Sequence, residues 1–259
     1  NLACKVTDTS SAPYDFVHKF LPREIQVLSR VRHPHIVHVH SILQRKSKFF
    51  VFMRQAERGD LLDFLKRAGA VEERLSRLWC RQLALALQYL HTMDIVHRDV
   101  KCENVLITQS LNAKLADFGF ARWCRWVDDA KGGLSETFCG SYAYVAPEVV
   151  KGKPYDPKMS DVWALGCVAF VMVNRAVPFE ADNIRHAYEQ QMSRTIKYKK
   201  KAYSQITPQL KIFIFNMLDP DLKTRWTIEE AVNSDWFSMD PRYVHSLSIL
   251  NVFRIYPFI

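Results

Sequence analysis

The sequence predicts an α+β chain, with a small strand-rich part first and a larger, mainly helical part after it. Three observations carry this. LACKV (residues 2–6) and SKFFVFM (residues 47–53) are apolar runs of strand length. Between them, Leu21, Ile25, Leu28 and Val31 recur at helical spacing. From Glu72 onward the apolar spacing turns helical and stays mostly so. With 259 residues, 48% of them hydrophobic, the chain can bury a sizeable core as one large domain or two small lobes.

The first fifty residues therefore read as strand, helix, strand. Pro22 suits a first helical turn, because its missing N–H has no intrahelical acceptor there. Glu24 falls on the apolar stripe of that helix and needs a partner, since an isolated buried charge is strongly disfavoured. Lys5 on the first strand is the nearest candidate cation. LLDFLKRAG begins a short helix after Asp60. EERLSRLWCRQLALALQYLHTM then places Leu75, Trp79, Leu83, Ala86, Leu87 and Leu90 on one side of a long core helix. NVLI and AKLA read as a hairpin across TQSLN. From Ala121 to about Val145 a Gly-, Asp- and Ser-containing stretch reads as a long functional loop. Ser160 or Asp161 is expected to cap a buried helix from Val162, Thr207 and Pro208 to open another, and Thr227 with Glu230 to form a capping box.

Composition narrows the function classes. A formal charge of +9 favours anionic partners, but the basic run at Lys197–Lys201 holds a single aromatic, Tyr198, rather than a series of stacking platforms and reads as a solvated loop, so no nucleic acid partner is expected. Six cysteines without a C-x-x-C pair suggest neither a disulfide framework nor a zinc knuckle. A reducing, intracellular, cytoplasmic setting follows. The apolar stretch Val162–Val173 is shorter than the roughly 20 residues that span a bilayer, so no membrane partner is expected. The opening NLACKVTD has neither a signal pattern nor an initiator Met, and the chain is expected to be incomplete at that end.

The richest polar segment is IVHRDVKCENVL, residues 95–106, in which an apolar frame holds His97, Arg98, Asp99, Lys101, Glu103 and Asn104. An Asp followed by Lys and Asn at this spacing is the pattern of a phosphoryl-transfer loop, with Asp to accept a hydroxyl proton and Asn to hold Mg²⁺. Asp117-Phe118-Gly119 and Ala146-Pro147-Glu148 follow in order, with Asp161-Val162-Trp163 and Arg225 behind them. Together these motifs resemble the eukaryotic protein kinases, from the first residues to about Phe237. KFLPREIQVL, HRDVKCEN, DFGFAR and LSETFCGSYAYVAPE are most similar to the testis-specific serine kinases, a branch near the calcium/calmodulin- and AMP-activated kinases.

The resemblance implies a bilobal fold: a truncated small lobe at 1–53, a hinge at 54–59, a helical large lobe at 60–237 and an unassigned tail at 238–259. It implies ATP and Mg²⁺ as cofactors and a protein with a Ser or Thr acceptor as substrate. An upstream activating kinase is a further implied partner, and a monomer is expected. Asp99, Lys101 and Asn104 would be catalytic, and Asn104 with Asp117 would hold the metal. Lys5 would pair the phosphates and Glu24 would pair Lys5. Ala3, Met53, Gln55, Ala56 and Leu106 would surround the adenine. Lys101 and Gly140-Ser141 resemble the serine/threonine class, and Ser141 would face substrate. Asp60 and Glu103 match acidic positions that face an Arg three residues before the acceptor, although Asp60 as a plain helix cap is an equal reading. Thr137 would be the loop phosphosite with Arg98 gripping the phosphate, and Glu148 with Arg225 a structural ion pair.

One family feature has no counterpart. The chain has 8 Gly and none forms G-x-G-x-x-G, the loop that covers the nucleotide phosphates. Two readings follow: a serine/threonine kinase lacking its first strands, or a catalytically impaired module that presents partner surfaces on a kinase-like lobe. The complete set Lys5, Glu24, Asp99, Lys101, Asn104 and Asp117 favours the first.

Overall fold

The computed structural model describes residues 1–124, 142–152, 155–180 and 183–240. Strand β1 (Leu2–Asp8) is followed by a π-helical turn at Phe16–Phe20 and helix α1 (Leu21–Arg30), with Pro22 in its first turn. Leu21, Glu24, Val27 and Leu28 form the buried stripe of α1, while Ile25 is only half-buried. Strands β2 (Val39–Arg45) and β3 (Lys48–Arg54) complete an antiparallel sheet of order β1-β3-β2. This corrects the strand, helix, strand reading. VHSILQR escapes it because His40, Ser41 and Gln44 dilute the apolar pattern and the register shifts between Val39 and Ser41.

The large lobe opens with α2 (Leu61–Ala68), whose N-cap Asp60 accepts the Asp63 N–H at 2.9 Å. The long helix α3 (Glu73–Thr92) buries Trp79, Leu83, Ala86, Leu87 and Leu90 completely. Strand β4 (Ile95–Val96) leads to the hairpin β5 (Val105–Ile107) and β6 (Ala113–Leu115), as the turn chemistry of TQSLN predicts. β4 pairs with β7 (Arg122–Trp123), a short strand inside the stretch read as loop. Two residues carry too little pattern to announce a strand.

Helix α4 (Pro147–Val150) precedes α5 (Pro157–Asn174), the most buried helix. Its cap is Asp156, which accepts the Lys158 N–H at 2.9 Å, with Pro157 in the first turn. Ser160 and Asp161 thus lie inside the helix rather than at its cap, and Asp161 turns inward to other work. Gly166 lets α5 approach the later helix that ends at Met217 closely, since a Cβ there would meet Met217 Cβ at 2.7 Å. Helices α6 (Ile184–Met192), α7 (Lys200–Gln205) and α8 (Pro208–Met217) follow, so the run read as a solvated loop ends by opening α7. The capping box of Thr227 and Glu230 is present and starts α9 (Ile228–Val232), with α10 (Asp235–Ser238) after it.

Glu148 and Arg225 form a buried two-pronged ion pair at 2.6 and 2.8 Å that ties α4 to the approach to α9. Such a pair is costly to break because it leaves a lone charge in the core. Among the described residues, no helix is long and apolar enough to cross a membrane.

Candidate active site

The segment from β4 to β5 is locked by its apolar frame: Ile95, Val96, Val100, Cys102, Val105 and Ile107 are all buried. Its polar groups are aimed by Asp161, itself 1% exposed. The Asp161 carboxylate accepts the His97 N–H at 2.9 Å and the Arg98 N–H at 2.8 Å, and its Oδ2 lies 3.0 Å from His91 Nε2. Burial would raise the Asp161 carboxyl, but the hydrogen bond from His91 and the donors at His97 hold it below the usual range. These bonds also hold Arg98 in a left-handed conformation, φ 67°, which a non-glycine residue adopts only when surroundings impose it.

His97 is fully buried and neutral: its Nε2 donates to the Ala116 carbonyl and its Nδ1 accepts the Asp99 N–H. Burial lowers its affinity for a second proton. The Asp99 carboxylate is thereby placed beside Lys101 Nζ, 2.8 Å from Oδ2, and Asn104 Nδ2 donates to the same oxygen at 2.7 Å. Asn104 Nδ2 also donates to the Asp99 carbonyl, closing the turn.

Across the cleft, Lys5 Nζ lies 2.8 Å from Glu24 and 3.1 Å from Asp117. The need for a partner at Glu24, legible in the apolar stripe, is met by Lys5. Burial lowers the Lys5 pKa, but the two carboxylates outweigh it and the net shift is upward. Burial likewise raises Asp117, but the Lys5 charge and hydrogen bond together with the Gly119 N–H hold the carboxyl low. Phe118 turns into the core against His97, with ring centroids 4.9 Å apart. The cleft they enclose has a volume of about 240 Å³ and is walled by Val37, Val39, Val51, Met53 and Leu106 around Lys5, Asn104 and Asp117.

The remaining expected residues fall as follows. Ala3 sits on β1 opposite Met53. Gln55 and Ala56 border a second cavity, for which Val37 and Leu106 form the shared wall. Asp60 caps α2, and the Glu103 and Asp60 charges add to the burial that pushes the Cys102 thiol up to about 12. Tyr144 bonds the same thiol. Thr137, Ser141 and residues 241–259 lie outside the described residues. Sequence reasoning misses His91, Val37 in the approach to β2, and Val39 at its start. The valines carry only a period of two, and His91 carries no signal beyond standing near the end of a helix.

A strand-rich small lobe on a helical large lobe, with a Lys-Glu pair and an Asp-Lys-Asn loop facing each other across the cleft, defines a phosphoryl-transfer fold. The Protein kinase domain family matches residues 1–237, and the chain belongs to that family. Testis-specific serine/threonine-protein kinase 1 of Mus musculus is 40% identical over 250 residues, covering 96% of this chain and 68% of the relative. Testis-specific serine/threonine-protein kinase 4 of Homo sapiens is 34% identical over 247 residues, 91% of this chain and 74% of the relative. The solved Rad53 kinase domain with SCD2 superposes with a TM-score of 0.75 at 30% identity, over 93% of this chain and 84% of that one. A second Rad53 structure, in complex with AMPPNP, superposes at 0.71 and 29% identity over 93% and 83%. The chain is an ATP-dependent protein serine/threonine kinase, and its family works with ATP and Mg²⁺.

Proposed function

We propose that Asp99 accepts the proton of an incoming Ser or Thr hydroxyl while Lys101 offsets negative charge on the phosphoryl group in transfer. The single observation behind this is the shared Asp99 oxygen, bonded by both Lys101 and Asn104. Two donors on Oδ2 fix the carboxylate's rotation, leaving Oδ1 to meet a hydroxyl. Bound ATP with Mg²⁺ would supply the γ-phosphoryl group and the cations that neutralise its charge.

The donor set fits that group. Lys5 already bridges two carboxylates inside an apolar cleft, so phosphate oxygens would join its ammonium while Asp117 and Asn104 hold the metal. Glu24 keeps Lys5 extended toward the cleft. Met53 and Leu106 would flank the adenine, with Ala3 above and the backbone of Gln55 and Ala56 at its edge. Rad53 in complex with AMPPNP supports the same use of the fold here.

On the substrate side, Asp60 and Glu103, whose charges both reach Cys102, would bind an Arg three residues before the acceptor. Ser141 would line the acceptor site. Phosphorylated Thr137 would be held by Arg98, whose charge, like that of Arg122, reaches Tyr155. An upstream kinase would add that phosphate. The boundaries 1–53, 54–59 and 60–237 serve as small lobe, hinge and large lobe.

The test is transfer of labelled phosphate from ATP to an R-x-x-S peptide. Asp99→Asn should lower turnover at least about 100-fold with an unchanged melting temperature. Turnover within a few-fold of the parent would remove Asp99 from the base position.

A further inference from the structure

The second cavity, about 380 Å³, is bordered by three separate stretches: the α1–β2 connection, residues 54–56, and the β5–β6 hairpin. Its walls hold five basic side chains, Arg32, His33, His38, Arg54 and Lys114, and no carboxylate among the described residues. Its floor is apolar, made by Val31, Ile36, Val37 and Leu106. A volume in this range, with an apolar floor and a few convergent polar groups, is what small-molecule sites offer.

The basic groups retain free donors. Lys114 Nζ gives one N–H to the Pro34 carbonyl and has two more. His33 Nδ1 accepts the His35 N–H at 3.1 Å, which puts the ring proton on Nε2. His33 is also stacked on Tyr89 at 5.1 Å, so its ring is fixed rather than swinging in solvent. Arg32 uses Nη1 on the carbonyls of Leu28 and Val31, keeping its other N–H groups. Behind this wall, the buried Nδ1 of His35 has no hydrogen-bond partner among the described residues. Glu57 is the carboxylate that senses Arg54, but it is bound to the Gln109 N–H at 2.8 Å and does not border the cavity.

Like charges gathered without a counter-charge are costly, and the cluster shows it. Burial holds His33 and His35 down to about 4, with Lys114 adding to both. Burial and then Arg54 lower Lys114. No carboxylate among the described residues relieves either His33 or Lys114. An anion would.

We propose that this cavity binds a small organic phosphate, its phosphate held by Lys114, Arg54 and His33 and its apolar body laid on Val31, Ile36 and Val37. Such a ligand is separate from the nucleotide, and it would touch both lobes at once, with Val37 and Leu106 between the two sites.

Phenyl phosphate is the probe, titrated into the full isotope-labelled chain while amide cross-peaks are followed. Saturable shifts should cluster at His33–His38, Arg54–Ala56 and Lys114, and persist with Mg²⁺–AMPPNP present. Phenol and inorganic phosphate should each bind about tenfold more weakly, and Lys114→Gln and Arg54→Gln should each cost about tenfold in affinity. Both variants should melt within a few degrees of the parent, so that lost affinity is not lost folding. Shifts centred on Lys5 and Asp117 that vanish with AMPPNP would assign the probe to the nucleotide cleft and overturn the proposal. Equal binding of phenol, or unchanged affinity in both variants, would reduce the cavity to an apolar crevice and overturn it as well.

Discussion

Replacing Asp161 with Asn tests how the segment carrying Asp99 is held. The side chain keeps its size but loses its charge and one acceptor oxygen. In the parent, Oδ1 accepts the Arg98 N–H at 2.8 Å, while Oδ2 accepts the His97 N–H at 2.9 Å and meets His91 at 3.0 Å. An amide can turn its oxygen to only one side, so its NH₂ must face a backbone N–H with nothing to accept. At a residue 1% exposed, no water enters to repair the mismatch. Losing one charge-assisted bond costs about 1.5–3 kcal/mol, and the stranded buried donor about 1–3 kcal/mol more. The expected loss is therefore about 2.5–6 kcal/mol, read by urea unfolding at neutral pH. Below the unfolding midpoint, turnover should fall while KM for peptide moves little, because Arg98 and Asp99 are released from their imposed geometry and the substrate surface is not touched. A variant less than about 1 kcal/mol weaker, with parental turnover, would refute the claim that this carboxylate positions the loop.

Three further outcomes are expected. Lys5→Met should weaken Mg²⁺–ATP binding at least about tenfold by calorimetry, since Glu24 and Asp117 then lose the ammonium that bridges them; unchanged affinity would show that Lys5 does not meet the phosphates. Gly166→Ala should destabilise by about 1–3 kcal/mol in urea, because its new Cβ lies 2.7 Å from Met217 Cβ and 3.0 Å from Leu218 Cδ2 on a packed helix; parental stability would mean that α5 and α8 separate freely. Stability should fall with acidification from about pH 6.5 towards 4. His33 and His35 sit at about 4 against an ordinary 6.5, and His97 is also lowered, so the unfolded chain binds protons that the folded chain refuses. The contribution is whole above 6.5 and is lost below it. His33→Gln with His35→Gln should flatten the slope of unfolding free energy against pH, and a parental slope in that variant would place the protons elsewhere.

Much of the site was legible from residues alone because its chemistry is written locally. The spacing of Asp99, Lys101 and Asn104 is dictated by one tight turn, and the Thr227–Glu230 box by one helical turn. Glu24 announced a distant partner through its place on an apolar stripe, and Lys5 provides it at 2.8 Å. Other features depend on groups far apart in the chain. Asp161 looked like a cap because it opens an apolar run, yet its neighbours in space are His91, His97 and Arg98, contributed by other elements. Strand β2 exists because β3 supplies its hydrogen bonds, against a weak pattern of its own. The basic cavity is assembled from three stretches, none of which is unusual by itself. Periodicity, caps and turn spacing act over a few residues and so belong to the sequence. Which carboxylate meets which backbone amide, and which cations crowd together without relief, are set only when the packed core brings remote segments within hydrogen-bonding distance.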